Sequence, residues 1–223
     1  MDQMPDPSHT EDPELARAKE RAFGALTEVG QSIEQDRGDE AVAAAERLLG
    51  CFQTQARASG RADGSLTGFG AMTLDAALWL LGALRVAESL RLCDALIARL
   101  SDGSEPERAI AAGARFLAAQ AAARQGDAAR ARSEVEALCD MGEPALAALD
   151  RLTTRLVAMG ADPAWHAQLA AASVTVLWRL GRGPEARAIA AEAAASFERH
   201  GDAELARMLL ALEHELSRDQ NEV

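Results

Sequence analysis

Glycines at even intervals constrain this chain more than any other feature. Gly38, Gly82 and Gly126 fall 44 residues apart, and an alanine follows each by five residues (Ala43, Ala87 and Ala131). Cys51 and Cys139 each lie thirteen residues past their glycine, and G-D-E-A-V-A-A-A-E-R-L-L (38–49) runs parallel to G-D-A-A-R-A-R-S-E-V-E-A-L (126–138). Gly181 with Ala186, and Gly201 with Ala206, keep the five-residue offset. A fixed period of this size is what stacked helical hairpins produce.

The residues between the glycines are helical. Ala and Leu, both strong helix formers, dominate a chain that is 48% hydrophobic but only 4% aromatic. No segment alternates apolar and polar residues as a strand would. The pattern predicts helices over 13–36, 39–57, 68–81, 84–101, 105–124, 127–140, 144–159, 163–180, 184–199 and 202–217. Gly38, Gly82, Gly126, Gly160, Gly181 and Gly201 are expected to close helices in the left-handed conformation. Asp39, Asp127 and Asp202 stand where an acidic cap favours the next helix. Pro144, Pro163 and Pro184 suit first turns, where a missing N–H is harmless. Residues 1–12 read as a disordered acidic lead, 13–217 as the repeat domain and 218–223 as a flexible tail. R-A-S-G-R-A-D-G-S-L-T-G-F-G (57–70) reads as a connector or a partner-contacting loop; it has neither the lysine nor the preceding strand of a phosphate cradle.

Residues 112–144, A-G-A-R-F-L-A-A-Q-A-A-A-R-Q-G-D-A-A-R-A-R-S-E-V-E-A-L-C-D-M-G-E-P, resemble a tetratricopeptide repeat. Small residues stand at Ala118, Ala119 and Ala122, glycine at the turn (Gly126), then Ala131, Val135 and Pro144. Arg115 and Ala122 replace the usual aromatic residues, and two of the spacings are longer than the family's. The resemblance implies an all-α, right-handed superhelical array of about five antiparallel hairpins. With turns at Gly38, Gly82, Gly126, Gly160 and Gly201, ten helices pair without an orphan; the alternative phase places an intra-hairpin turn at Gly181. It also implies that first helices line a concave face. Counting back from the turns places Phe69, Met72 and Trp79, then Phe116 and Gln120, on that face as partner-binding residues. A-L-W-L-L-G (77–82) and V-L-W-R-L-G (176–181) read as a shared helix exit, with Trp178 in the core.

The charge narrows the partners. A net charge of −12, with eleven Asp/Glu against four Lys/Arg in the first forty residues, disfavours nucleic acid and favours basic protein segments. Lys19 is the only lysine, and the Arg and Ala excess points to a bacterial source. Cys51, Cys93 and Cys139, an odd number in apolar surroundings, read as reduced packing thiols of a cytoplasmic protein, and no signal peptide or membrane span is expected. His9, His166, His200 and His214 belong to no metal or catalytic motif, so neither a metal nor a cofactor is expected. The function expected is a non-catalytic adaptor that binds a partner peptide or helix in a concave groove. A small acidic regulator or secretion chaperone, an all-α enzyme, and a homodimer joined by an apolar helix face are the alternatives.

Overall fold

The computed structural model describes residues 12–58 and 66–221. Residues 1–11 of the expected lead (1–12), the centre of the 57–70 connector (59–65) and residues 222–223 of the expected tail lie outside them; Asp12, the last residue of the expected lead, caps α1. Ten helices form where the pattern places them: α1 Pro13–Glu34, α2 Gly38–Ala58, α3 Leu66–Gly82, α4 Val86–Leu100, α5 Glu105–Arg124, α6 Ala128–Asp140, α7 Glu143–Ala158, α8 Pro163–Arg179, α9 Gly183–Arg199 and α10 Ala203–Asn221. No strand occurs among the described residues. Two boundaries move: α3 takes in Leu66 to Gly70 of the expected connector, and α10 continues into the expected tail.

The chain divides into two units, residues 1–92 and 93–223, with the division inside α4. In the first unit α1 and α2 pack as a hairpin and α3 lies against both. Helix α1 buries Ala22, Ala25, Leu26 and Val29, and α2 buries Ala41, Ala44, Ala45, Leu48 and Phe52. Alanines where helices cross let their axes approach, and the larger side chains fill the space beside them. The buried Ser89 hydroxyl donates to the Ala77 carbonyl at 2.7 Å, and Arg85 meets Asp39 at 2.6 Å.

In the second unit α5 is sunk deepest, with Ala109 to Ala112 and Phe116 to Ala119 all buried. It packs on α6 and α7; α6 packs on α8; α8 packs on α7, α9 and α10; and α9 packs on α10. Neighbouring helices thus pack in succession, an arrangement compatible with a solenoid. Arg115, which takes an aromatic position of the repeat pattern, pairs instead with Glu134 of α6 at 2.9 Å, and both side chains are largely buried.

One backbone device closes six of the helices. A residue with positive φ ends the helix, and the next N–H returns to a carbonyl five residues earlier, satisfying an otherwise open acceptor. The bonds are Arg37 to Ser32, Arg85 to Leu80, Asp127 to Ala122, Ala161 to Leu156, Arg182 to Leu177 and Asp202 to Phe197, all 2.8–3.0 Å. Four of the left-handed residues are the expected Gly126, Gly160, Gly181 and Gly201. The other two are Asp36 (φ 56°) and Leu84 (φ 61°), not Gly38 and Gly82. Gly38 is the first residue of α2 and Gly82 the last of α3. The even 44-residue spacing is thus not the structural period, because the first two glycines sit beside the joints rather than in them. Gly181 makes the same joint as Gly160 and Gly201, so joint type does not separate the two hairpin phases.

The twin Leu-Trp stretches are likewise not equivalent. Trp178 lies three residues before its left-handed glycine, whereas Trp79 lies five before Leu84. What they share is a glycine beneath the indole. A Cβ on Gly30 would come within 3.1 Å of the Trp79 ring, and one on Gly183 within 2.7 Å of the Trp178 ring.

Capping follows the same mixture of expected and displaced roles. Asp127 accepts the Arg130 N–H at 2.9 Å and caps α6. Asp39 instead lies inside the first turn of α2 and pairs with Arg85. Pro144, Pro163 and Pro184 occupy first turns as expected.

Candidate functional site

The five residues singled out by spacing divide between the units. Phe69, Met72 and Trp79 belong to α3 in the first; Phe116 and Gln120 belong to α5 in the second. Phe69 and Phe116 are buried, and the Phe116 ring packs against Trp165 with centroids 6.5 Å apart. Met72, Trp79 and Gln120 are half-buried.

A pronounced concavity lies elsewhere, in the second unit. A groove of about 1010 Å³ is lined by α7, α8 and α9. It arises because α7 and α9 both pack on α8 but make no substantial contact with each other. Helix α8 is therefore its base and the other two are its walls. Each helix contributes one face at the same spacing: Leu146, Asp150, Thr153 and Val157 from α7; His166, Ala170, Ser173 and Leu177 from α8; Glu185, Ile189, Glu192 and Ser196 from α9. Steps of four, three and four residues keep each row on one side of its helix. Eleven residues of helix rise about 16 Å, which sets the groove's length.

The helices run antiparallel along the groove. Leu146 and Ile189 pack against the core containing Leu177 and Trp178 at one end, while Ala170 and Ala193 pack against the core containing Phe197 at the other. The base is apolar or small over Leu177, Ser173 and Ala170 and ends in the half-buried His166. The walls carry Asp150 and Glu192 at mid-length, Glu185 at the first end and Asp202 at the second.

Arg182 fastens the first end. Its guanidinium grips Glu185 through two hydrogen bonds (2.7 and 2.6 Å) and Glu143 through a third (2.8 Å). Donation to Glu185 is the main cause holding Arg182 above its ordinary pKa, and accepting those bonds holds the Glu185 carboxyl below the usual range. Glu143 opens α7 and Glu185 lies in the first turn of α9, so one side chain ties the two walls that do not pack together.

His200 caps α9, its Nδ1 2.8 Å from the Ser196 carbonyl oxygen. Cys93 and Cys139 are buried, and burial pushes the Cys139 thiol above its ordinary pKa. Among the described residues no three His, Cys, Asp or Glu side chains converge as metal ligands, and no helix is long and apolar enough to cross a membrane.

Counting back from the turns missed this groove because it looks for the exposed face of first helices. The rows that line it mix Ala, Ser, Thr and acids, and only the parting of α7 from α9 makes them a site. The sole sequence signal is the repeated four-three-four spacing on three successive helices. No protein-family model, curated protein or solved structure matches the chain.

Proposed function

We propose that this chain is a non-catalytic protein-interaction module of the cytoplasm. In this reading it is a tetratricopeptide-like array with right-handed superhelical stacking, and its second unit receives a segment of another protein. One observation supports the reading above the others: the groove over α8, with a largely small and apolar base that ends in His166, acidic walls and a helix-sized length. Such a surface is pre-formed, so little ordering cost falls on the receptor. Its chemistry is that of helix-in-groove recognition. The surface of contact is then the row through Asp150, Thr153, Ala170, Ser173 and Ile189. Phe69 and Phe116 support the units from within, and Met72, Trp79 and Gln120 lie outside this row. A regulator or a secretion chaperone would use the same surface and differ only in its partner.

A photo-cross-linking residue at position 153, in cells of the native host, tests the proposal. A single partner protein cross-linked at 153 but not from an exposed α1 position such as 20 is the expected result. Cross-links only to this chain itself, or the same products from both positions, would overturn it.

A further inference from the structure

We infer that the occupant of the α7–α8–α9 groove is a cationic amphipathic helix of a partner protein. The inference rests on the interaction-module reading above and narrows it to one chemistry. Three features of the groove carry it.

The first is the backbone of the walls. Both walls and the base are helices, whose N–H and C=O groups are bonded internally except at the ends. An extended peptide needs a sheet edge to satisfy its own backbone, and none borders this groove. A helix arrives with its backbone already satisfied. The second is length. The lining rows span about 16 Å, three turns of helix, so an occupant with apolar residues at i, i+4 and i+7 places one over each of Leu177, Ser173 and Ala170, and its next turn meets His166.

The third is charge. Asp150 on one wall and Glu192 on the other both stand at mid-length, one step apart along the groove, with Asp202 beyond them. Arg182 at the rim is already engaged by Glu143 and Glu185, and the other basic side chains of the lining are His166 at the end of the base and His200, whose Nδ1 lies 2.8 Å from the Ser196 carbonyl oxygen. An apolar stripe laid on the base turns its flanking positions toward these carboxylates, and Lys or Arg there finds a partner on either side. A second copy of this chain is a poor occupant, since it brings a net charge of −12 to an acidic rim. The same net charge steers a basic helix inward.

The test uses the full chain and three stapled helical peptides of about three turns. All carry leucine on one stripe; the flanking positions are Lys, Gln or Glu. Fluorescence anisotropy measures binding at low and high salt. The Lys peptide is expected to bind at least tenfold tighter than the Gln peptide, with the advantage shrinking in salt, and the Glu peptide not to bind. Neutralising the walls (Asp150→Asn with Glu192→Gln) should weaken the Lys peptide roughly fivefold, the size expected for two exposed ion pairs. Neutralising exposed acids of α1 (Glu14→Gln with Glu20→Gln) should leave it unchanged. Thr153→Trp, an exposed position that fills the groove, should abolish binding, and the milder Val157→Ser should weaken it.

Equal binding of the Lys and Gln peptides, lost together in Thr153→Trp, would overturn the cationic preference and leave the interaction module standing. Equal sensitivity to the α1 and groove neutralisations would overturn the preference as diffuse charge attraction. Indifference of every peptide to Thr153→Trp and Val157→Ser, or no binding at all, would overturn the groove reading itself.

Discussion

Replacing a glycine by alanine should move stability in opposite directions at two positions of this chain, for reasons the backbone supplies. Gly181 closes α8 at φ 73°, and a Cβ there would meet nothing within 4 Å. Steric contact with neighbours is therefore not the issue; only the residue's own backbone is. A left-handed residue other than glycine is disfavoured by roughly 1–2 kcal/mol. Restricting the unfolded chain returns about 0.4–1 kcal/mol. Gly181→Ala should thus lose about 1 kcal/mol. Gly50 lies inside α2, is exposed, and also has nothing within 4 Å of its Cβ position. There alanine removes the helix-interior penalty of glycine, a gain of about 0.8–1 kcal/mol. The assay is urea denaturation of full-length variants followed by circular dichroism, with thermal midpoints moving by about 2–4 °C per kcal/mol for a chain of this size. A Gly181→Ala protein as stable as wild type would refute the left-handed joint. A destabilised Gly50→Ala would refute the open surface assigned to that turn of α2.

Gly183→Ala should be worse than its helical position implies, because its Cβ would lie 2.7 Å from the buried Trp178 ring; a loss of about 1–2 kcal/mol, with a shift in tryptophan emission, is expected in denaturation and fluorescence. Glu134→Ala should lose about 2 kcal/mol, between surface and fully buried pairs, since it strands the Arg115 guanidinium; Glu134→Gln should lose less in the same denaturation assay. Iodoacetamide at mild alkaline pH should label half-buried Cys51 first, with buried Cys93 and Cys139 protected until unfolding, as mass spectrometry will show. Because folding lowers the Glu185 pKa, its stabilising contribution is complete above the ordinary carboxylate value of about 4.3 and is lost as pH falls through the lower folded value. Carboxyl NMR titration should see that lowered value return toward normal in Arg182→Ala.

The helices were legible because their determinants are local. Ala and Leu runs, prolines in first turns and glycines at exits each act within a turn or two, and all ten segments formed where they pointed. The repeat period misled for the same reason: Asp36 and Leu84 hold left-handed positions that composition would assign to glycine, so counting glycines placed two joints two residues away. Burial was partly legible. Phe69 and Phe116 lie on first helices as expected, yet their side chains face inward, because an apolar helix offers no marker of which stripe its neighbours cover. The groove was not legible, since it depends on how far α7 stands from α9. The Arg182 tie is equally hidden, linking residues 39 apart in the chain.

The six joints share a conformation and a hydrogen bond but not a residue type: Asp, Leu and Gly all serve. Architecture of this kind is written in the main chain, while the side chains around it need only be small, apolar and correctly spaced. Two proteins could therefore agree at every corner of such a path and at almost no letter of their sequences. Kinship among chains of this composition is better sought in the order and spacing of their corners than in the identity of what lies between.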